Sequence, residues 1–450
     1  MEIMYRNTFY KAAAFAFILL SLVTVGFAQE GKLDSVAAQA AQVTEFDVNG
    51  LKVIVKRRAS APTVSGGLFI RGGARNITEK NAGIEDLMLD SAIEAGKNIP
   101  RQQVRRELSR LGSVITAAAG QDYSAVSFAS TRQAFDRVWE VFSDVTLNPA
   151  FNEEDVRRNR EQKLAALREA AISPEGAVQA LQDKAVYSGH PYANDTSGSA
   201  ATIAALTAED LRAYHKGVMQ TSRLLLVFVG DLDPNELKAK ITATFGKLPR
   251  GDYKETPLPA LDFSKPTLDV TSRSLPTNYV QGEFAAPSLG SPDYYAMRVA
   301  TSILQSLVYQ EVRIKRQLSY APEARLNNLG ANTGAIAVTS TDPNQAVSVM
   351  LDQIKLLRTR RLNEEVISEV AGSFLTNYYL GQETNAAQVG ELARYELIGG
   401  GWKNSFEFLN RVREVTAADV QRVSNQYMKN LRFAVVGKPE AIDRSIFVAG

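Results

Sequence analysis

The sequence predicts an α+β fold made of two homologous domains, each a mostly antiparallel sheet covered by helices. Three observations predict it: strand-like runs are followed by long amphipathic helices, a helix–strand unit occurs twice, and a Pro-rich charged run separates the two copies. Hydrophobic residues make up 45% of the 450 residues and charged residues 22%. That composition is typical of a globular protein, and the length exceeds what one hydrophobic core usually supports.

The repeated unit is a helix followed by an apolar strand, and it lies near the end of each half. The first copy starts at Thr207 and closes at Gly230, and the second starts at Thr416 and closes at Gly437. Both Thr residues can cap a helix, and acidic residues follow in the first turn. The copies are 209 residues apart at the Thr (416−207) and 207 at the Gly (437−230). This spacing indicates that a whole domain was duplicated.

The domain boundaries follow from the repeat and from local composition. We predict an N-terminal domain over 43–248, a linker over 249–266 and a C-terminal domain over 267–445. The linker begins with a charged, Pro-rich run, which is typical of a segment without regular structure.

Residues 1–28 resemble a secretory signal peptide. Arg6 and Lys11 precede an apolar stretch over 12–28, which ends in Gly26-Phe27-Ala28 with small residues where a signal peptidase cuts. An uncleaved membrane anchor is the alternative, but the stretch is shorter than the ~20 residues that a span prefers. We therefore expect a periplasmic protein.

Charge and cysteine content exclude several classes of partner and site. No later segment is apolar enough to span a membrane, and a net charge of +2 favours neither nucleic acid nor an anionic surface. With no Cys in the chain, the protein is neither a lipoprotein nor stabilised by disulfides.

Periodicity predicts the elements of each half. In the first half, two alternating runs around Asn49-Gly50 predict a hairpin. Further strands are predicted over 63–71, 114–119 and 123–128, and helices near 82–95, 100–111, 131–146, 152–170 and 175–187. The second half has predicted strands over 278–284 and 335–339, a helix over 292–310 and several helices up to 427. The strand over 63–71 is either a sheet edge that a peptide extends or an ordinary sheet strand.

The predicted helix between Asn81 and Gly96 is the one around which the first half is organised. Apolar residues recur along one face, so that face points inward. Asn81 can cap the start of the helix, and Gly96 can end it in a left-handed turn. Together with the preceding strand and Gly72-Gly73, this order closely resembles the approach to the active site in the insulinase/pitrilysin-type metallopeptidases. That family includes the mitochondrial processing peptidase.

The resemblance implies the frame of a zinc site without its chemistry. In the family, this helix carries H-x-x-E-H, in which both His bind zinc and the Glu is the base. Here the His positions hold Asp86 and Asp90, and the Glu position holds Leu89, which cannot accept a proton. The family's third ligand, a Glu on a later helix, falls on Ala165. The resemblance therefore implies no metal in this chain.

Asp86 and Asp90 lie four residues apart on one helix face, so their carboxylates are candidates for metal binding. Both carboxylates could bind one metal ion, or they could belong to an ordinary solvent-exposed face of the helix. Zinc prefers His and Cys ligands, and the chain has two His and no Cys. The two His are read as structural: His190 in a His-Pro-Tyr turn and His215 within a helix. Glu161, near the third-ligand position, is expected to pair with a neighbouring Arg.

The run over 311–320 closely resembles the family's second-half run that ends R-x-x-x-G-L-A-Y. The resemblance implies that Arg313 and Tyr320 hold the substrate backbone and the oxygen that gains charge during attack. Gln317 departs from the family's Gly. The alternative is that Arg313 is a surface charge and Tyr320 a half-buried core residue.

The family's two domains close like a clamshell around a peptide, and some bacterial members divide the work between a zinc-bearing and a zinc-less chain. This sequence fits the second kind. We expect the zinc-less subunit of a periplasmic heterodimeric metallopeptidase, inactive alone, with zinc in a homologous partner and a peptide or small protein as substrate. One alternative is a non-catalytic peptide-binding or scaffold protein; another is a lone enzyme that binds a metal through Asp86 and Asp90.

Overall fold

The structure is a computed structural model that describes residues 36–448. The predicted signal peptide at 1–28 therefore lies outside the described residues. The described chain begins with the short helix α1 (Val36–Ala40). Between residues 36 and 448, the structure has no helix whose length and apolar character would suit a membrane crossing.

The first half is a six-stranded sheet with helices. Its strands are β1 (Val43–Val48), β2 (Leu51–Arg57), β3 (Thr63–Arg71), β4 (Val114–Ala118), β5 (Tyr123–Thr131) and β6 (Leu224–Gly230). Its helices are α2 (Ile84–Ala92), α3 (Arg101–Arg110), α4 (Phe135–Leu147), α5 (Glu153–Ile172), α6 (Pro174–Tyr187), α7 (Ala200–Ala205), α8 (Ala208–Val218) and α9 (Pro234–Ala243). The strand order is β1-β2-β6-β3-β5-β4, and only β2 and β6 pair in parallel.

The second half is a five-stranded sheet of the same kind. Its strands are β7 (Thr267–Ser272), β8 (Asn278–Ala285), β9 (Glu323–Leu326), β10 (Thr333–Ser340) and β11 (Arg432–Gly437). Its helices are α10 (Tyr294–Val308), a π-helical segment (Tyr309–Lys315), α11 (Pro343–Thr359), α12 (Glu364–Gly381), α13 (Asn385–Ile398), α14 (Asn404–Arg413), α15 (Ala417–Tyr427) and α16 (Arg444–Phe447). The order is β7-β11-β8-β10-β9, with only β7 and β11 parallel.

The two sheets have the same strand order and connectivity if β1 is left out. The order β2-β6-β3-β5-β4 in the first corresponds to β7-β11-β8-β10-β9 in the second, and the parallel pair comes at the same place. The repeated helix start is also preserved in detail. Thr207 Oγ1 accepts a hydrogen bond from Asp210 N at 3.2 Å, and Thr416 Oγ1 accepts one from Asp419 N at 3.2 Å. The predicted α+β class with two mostly antiparallel sheets is confirmed.

Local sequence explains the hairpin between β1 and β2. Asn49 and Gly50 have φ angles of 56° and 86°, and a two-residue type I′ turn requires positive φ at both positions. Gly50 N also donates to Asp47 Oδ1 at 2.8 Å, which closes the turn. The predicted hairpin is confirmed.

Each half covers the sheet of the other with one helix. Helix α6 packs on β8 and β11, and helix α13 packs on β3 and β6. At the first contact, Gln182 Nε2 donates to the Arg432 carbonyl at 2.9 Å. At the second, Asn385 Nδ2 donates to the Thr63 carbonyl at 2.7 Å. The halves are therefore joined by an exchange of helices as well as by the linker.

The idea that the strand over 63–71 is a sheet edge is wrong. β3 pairs with β6 on one side and with β5 on the other, so its backbone groups are already used. The free edges of the first sheet are β1 and β4. Of the two alternatives, the ordinary sheet strand is the correct one.

The predicted ends of helix α2 also need correction. The residue before the helix is Gly83, with φ of 86°, while Asn81 Oδ1 accepts from Thr78 N at 2.6 Å in the preceding turn. Gly96 has no left-handed conformation and instead forms a β-bridge with Pro149. A side chain at Gly96 would overlap the Asp144 carboxylate, so close packing explains this glycine.

Candidate functional site

The crevice between α2 and α5 holds the residues at the predicted zinc-motif positions. Asp86 and Asp90 lie on one face of α2, and both carboxylates bind the ammonium of Lys163 on α5. The Lys163 Nζ to Asp90 Oδ2 distance is 2.7 Å. The Lys163 side chain is 15% exposed, so the ammonium is largely withdrawn from water. A lysine therefore joins the two helices at the position where the family's motif predicts a metal.

Electrostatics keep this lysine charged. Burial opposes the charge on Lys163, but the two carboxylates outweigh it and raise the pKa of the ammonium above its ordinary value. Burial also raises the pKa of Asp86, while Lys163 works in the opposite direction. The cluster carries one positive and two negative groups when all three are ionised.

The residues present do not fit a zinc ion. Leu89 is buried in the core and Ala165 is exposed on α5, and neither side chain can ligate a metal or take a proton. Asp86 and Asp90 are already bound to Lys163. Across residues 36–448, no three His, Asp or Glu side chains are grouped so that they could hold a metal. The structure therefore gives no support to a metal held by Asp86 and Asp90.

Sequence reasoning missed the role of Lys163, although a signal was present. Lys163 lies two residues before Ala165, on the helix that supplies the third ligand in the family. This basic residue and the two acidic residues at the His positions of the family's motif could together have suggested an ion pair between the two helices. Only the packing of α5 on α2 shows that the three side chains meet.

Glu85, next to Asp86, fixes α2 from behind. Its carboxylate accepts hydrogen bonds from Ser124 Oγ on β5 and from the Tyr214 hydroxyl on α8, the latter at 2.6 Å. Burial raises the pKa of Glu85. Because these partners lie on other elements, Glu85 holds α2 in place, and each of its two carboxylate oxygens accepts one of these hydrogen bonds.

Arg313 and Tyr320 meet at the end of the π-helical segment after α10. The Arg313 guanidinium carbon is 4.5 Å from the centroid of the Tyr320 ring, which is a cation–π contact. The Tyr320 side chain is 80% exposed. Among the described residues, Arg313 has no ion-pair partner, because Glu311 binds Lys315 and Arg316 instead. The structure therefore brings together the two residues that the sequence resemblance selected.

The departure at Gln317 leaves the turn intact. Gln317 has φ of 54°, in the left-handed region that glycine favours. Leu318 N then donates to the Val312 carbonyl at 2.9 Å, which closes the end of the segment. A glutamine thus adopts the conformation expected of the family's glycine, and Tyr320 follows directly from this turn.

The remaining side chains that the sequence singled out are structural. His190 Nδ1 accepts from Tyr192 N at 3.1 Å, and its Nε2 donates to the Pro259 carbonyl at 3.2 Å. His215 Nε2 donates to the Thr146 carbonyl at 2.9 Å. Burial lowers the pKa of both His residues. Glu161 pairs with Arg157 at 2.9 Å, as predicted.

Two family descriptions match this chain. The sequence model described as "Insulinase (Peptidase family M16)" matches residues 52–200, and the one described as "Peptidase M16 inactive domain" matches residues 205–372. The chain belongs to the M16 peptidase family. The predicted relationship to the insulinase-type metallopeptidases is therefore confirmed.

Relatives of this M16 chain include named enzymes and a respiratory subunit. An uncharacterized zinc protease of Mycobacterium tuberculosis is 23% identical over 424 residues, covering 92% of this chain and 96% of the relative. Subunit 1 of the mitochondrial cytochrome b-c1 complex of Bos taurus is 25% identical over 266 residues, covering 58% of this chain and 55% of that protein.

Solved structures share the M16 fold of this chain. A peptidase M16 inactive domain from Pseudomonas fluorescens superposes with a TM-score of 0.82 at 18% identity, covering 88% of this chain and 98% of that chain. A protease from Helicobacter pylori superposes with a TM-score of 0.80 at 15% identity, covering 88% and 99%. The M16 chain described here thus shares the fold of these proteins.

Proposed function

We propose that this chain is the zinc-less subunit of a heterodimeric M16 metallopeptidase. It supplies Arg313 and Tyr320 to a peptide held at the zinc site of a homologous partner, and it has no peptidase activity alone. One observation carries the proposal: Arg313 and Tyr320 lie in contact, and Arg313 has no ion-pair partner within residues 36–448.

Arg313 and Tyr320 are suited to stabilising negative charge on a peptide oxygen. A guanidinium and a phenol are fixed hydrogen-bond donors, and donors aimed at a developing oxyanion contribute on the order of 3 kcal/mol to the transition state. The cation–π contact restrains both side chains, so little freedom is lost on binding. The partner's metal supplies the activated water, and this chain supplies the donors.

Peptide binding to this chain can use a free strand edge. β4 is an edge strand, lies beside α2 and exposes Val114 by 49%. An extended peptide can add to such an edge through backbone hydrogen bonds. A periplasmic location is part of the proposal and depends on the sequence of residues 1–28.

The test needs the assembled pair. The tagged full-length chain is purified from its native host, and a co-purifying M16 protein with an intact H-x-x-E-H motif is identified. Peptide hydrolysis by the pair is then measured with Arg313→Ala and Tyr320→Phe. We expect kcat to fall about 100-fold to 1000-fold for Arg313→Ala, with pairing unchanged.

Arg316→Ala is the matched control, because Arg316 directly follows the π-helical segment but binds Glu311. It should leave kcat within about twofold of the wild type, since the Arg316 guanidinium is already bound to Glu311, through a surface ion pair and a hydrogen bond to the Glu311 carbonyl at 3.1 Å. The proposal fails if the purified single chain hydrolyses peptides in a chelator-sensitive manner. It also fails if Arg313→Ala behaves like Arg316→Ala.

A second candidate function is a scaffold without a catalytic role. The match to subunit 1 of the mitochondrial cytochrome b-c1 complex favours it, because that relative is named as a component of a respiratory complex. In that case, the chain would pair with its partner, and neither Arg313→Ala nor Tyr320→Phe would change any hydrolysis by the partner.

A further inference from the structure

The second half contains a counterpart of the crevice between α2 and α5. In chain order, α10 follows β8 as α2 follows β3, and α12 and α13 correspond to α5 and α6. Between α10, α12 and α13 lies a cavity of about 180 Å³. Tyr294 and Arg298 line it from positions one turn apart on α10, as Asp86 and Asp90 lie one turn apart on α2. The duplicated fold therefore places one crevice in each half.

Two arginines line this cavity without forming an ion pair within residues 36–448. Arg298 on α10 and Arg394 on α13 form no ion pair with any residue of the described part of the chain. Nε of Arg394 is buried and has no hydrogen-bond partner there. Burying an unpartnered donor costs free energy, so such a group in a cavity points to a ligand.

Aromatic rings hold both guanidinium groups in place. The Arg298 guanidinium carbon is 5.7 Å from the Phe374 ring centroid, and that of Arg394 is 5.9 Å from the Tyr395 ring centroid. A guanidinium that lies over a ring still has N–H groups at its edges available for hydrogen bonds. The two cations are thus positioned by aromatic rings rather than by ion pairs.

The other polar lining groups favour a singly charged anion. Asn328, in the loop between β9 and β10, accepts a hydrogen bond from the Tyr294 hydroxyl. Burial raises the pKa of Glu391, which also lines the cavity and forms no ion pair within residues 36–448. Burial therefore disfavours a negative charge on Glu391, and a doubly charged anion beside this group would cost more than a singly charged one.

We infer that this cavity binds a carboxylate between Arg298 and Arg394. Guanidinium groups that line one cavity can donate to the oxygens of a carboxylate, and charge-assisted hydrogen bonds of this kind are strong. The volume is below the ~300 Å³ of a typical drug-sized site, so it holds a carboxylate with a short aliphatic part. The group can be the C-terminus of a peptide or a small free acid. This inference concerns the single chain and does not rest on the proposed heterodimer.

Calorimetric titration of the purified chain at pH 7 tests it with three probes. They are N-acetyl-trialanine with a free C-terminus, the same peptide as its C-terminal amide, and butyrate. If the site takes a peptide C-terminus, the free peptide binds at least tenfold more tightly than the amide; if it takes a small acid, butyrate binds. Arg298→Gln and Arg394→Gln should each weaken the binding of the successful probe about tenfold.

Arg360→Gln is the matched control, because Arg360 is an exposed arginine that follows α11 in the same half. It should leave the affinity unchanged. If a glutamine variant fails to fold by circular dichroism, Arg298→Lys and Arg394→Lys keep the charge, and the acid–amide comparison in the wild type still decides. The inference is overturned if neither acid binds at millimolar concentration, if inorganic phosphate binds more tightly than both, or if the cavity variants behave like Arg360→Gln.

Discussion

The two halves place corresponding helices around corresponding crevices but fill them differently. Between α2 and α5, Lys163 binds both Asp86 and Asp90, so the charges satisfy one another. Among α10, α12 and α13, Arg298 and Arg394 line a cavity of about 180 Å³ without ion-pair partners in the described chain. The shared topology determines where a crevice lies. A few side chains then determine whether ion pairs fill the crevice or whether it stays open to a ligand.

The largest expected effect on stability comes from removing Lys163 from the crevice between α2 and α5. Lys163→Met leaves two partly buried carboxylates facing each other, and loss of one partner of a buried ion pair costs about 3 to 5 kcal/mol. Because the Asp90 side chain is 39% exposed, we expect the lower end, about 3 kcal/mol. Urea unfolding at pH 7 measures the loss.

Arg298→Met is the change in the cavity among α10, α12 and α13 that corresponds to Lys163→Met. Arg298 has no counter-ion to leave behind among residues 36–448, so we expect stability to change by less than about 1 kcal/mol. Replacing all three charged residues, with Asp86→Asn and Asp90→Asn added to Lys163→Met, should recover part of the loss. Equal effects of Lys163→Met and Arg298→Met would contradict the contrast between the two crevices.

A second lysine sharpens the comparison, because it is buried without forming an ion pair within residues 36–448. Lys56 on β2 is 7% exposed, and burial lowers the pKa of its ammonium to about 8. The unfolded chain then binds more protons than the folded one between pH 8 and 10.5, so stability rises with pH across that window. The rise attributable to Lys56 is about 2 kcal/mol, allowing for some water penetration.

Lys56→Met removes this titration. The variant should be more stable than the wild type at pH 7, and the difference between them should shrink as the pH approaches 10.5. Unfolding free energies at pH 7, 8, 9 and 10 measure the difference and cancel the contributions of other groups. A difference that stays constant with pH would mean that Lys56 keeps its ordinary pKa in the folded protein.

The smallest expected effect concerns the turn that precedes Tyr320. Gln317 has φ of 54°, which costs an ordinary residue about 1 kcal/mol, whereas glycine adopts it freely. Gln317→Gly should raise stability by about 0.5 kcal/mol, because the greater freedom of the unfolded chain offsets part of the gain. Thermal unfolding checks this, with Gln317→Val as the opposite change, expected to be destabilising. A destabilising glycine would show that the Gln317 side chain, rather than the turn, matters.

Local sequence predicted the features that depend on neighbouring residues. The hairpin at Asn49-Gly50 follows from two residues that tolerate positive φ, and the helix starts at Thr207 and Thr416 follow from capping. The resemblance selected Arg313 and Tyr320, and the structure places them in contact. A catalytic role for that pair remains a prediction.

The features that sequence reasoning missed depend on distant residues. The position of β3 inside the sheet is set by pairing with β6, more than 150 residues later, and no local periodicity carries that information. Strand β9 has four residues, too few for a clear alternation. Lys163 and Asp86 are 77 residues apart in sequence, and only the packing of their two helices brings the charges together.

The exchange of α6 and α13 has a consequence for how such a molecule can be taken apart. A chain cut within 249–266 would yield two fragments, each with a sheet face bared where the other's helix had rested. Neither piece is expected to stay soluble unaided, yet mixing them should restore one particle. A precursor with a single copy of the domain would have had the same uncovered sheet face. Two identical chains could have covered these faces by exchanging helices, as in a domain-swapped dimer.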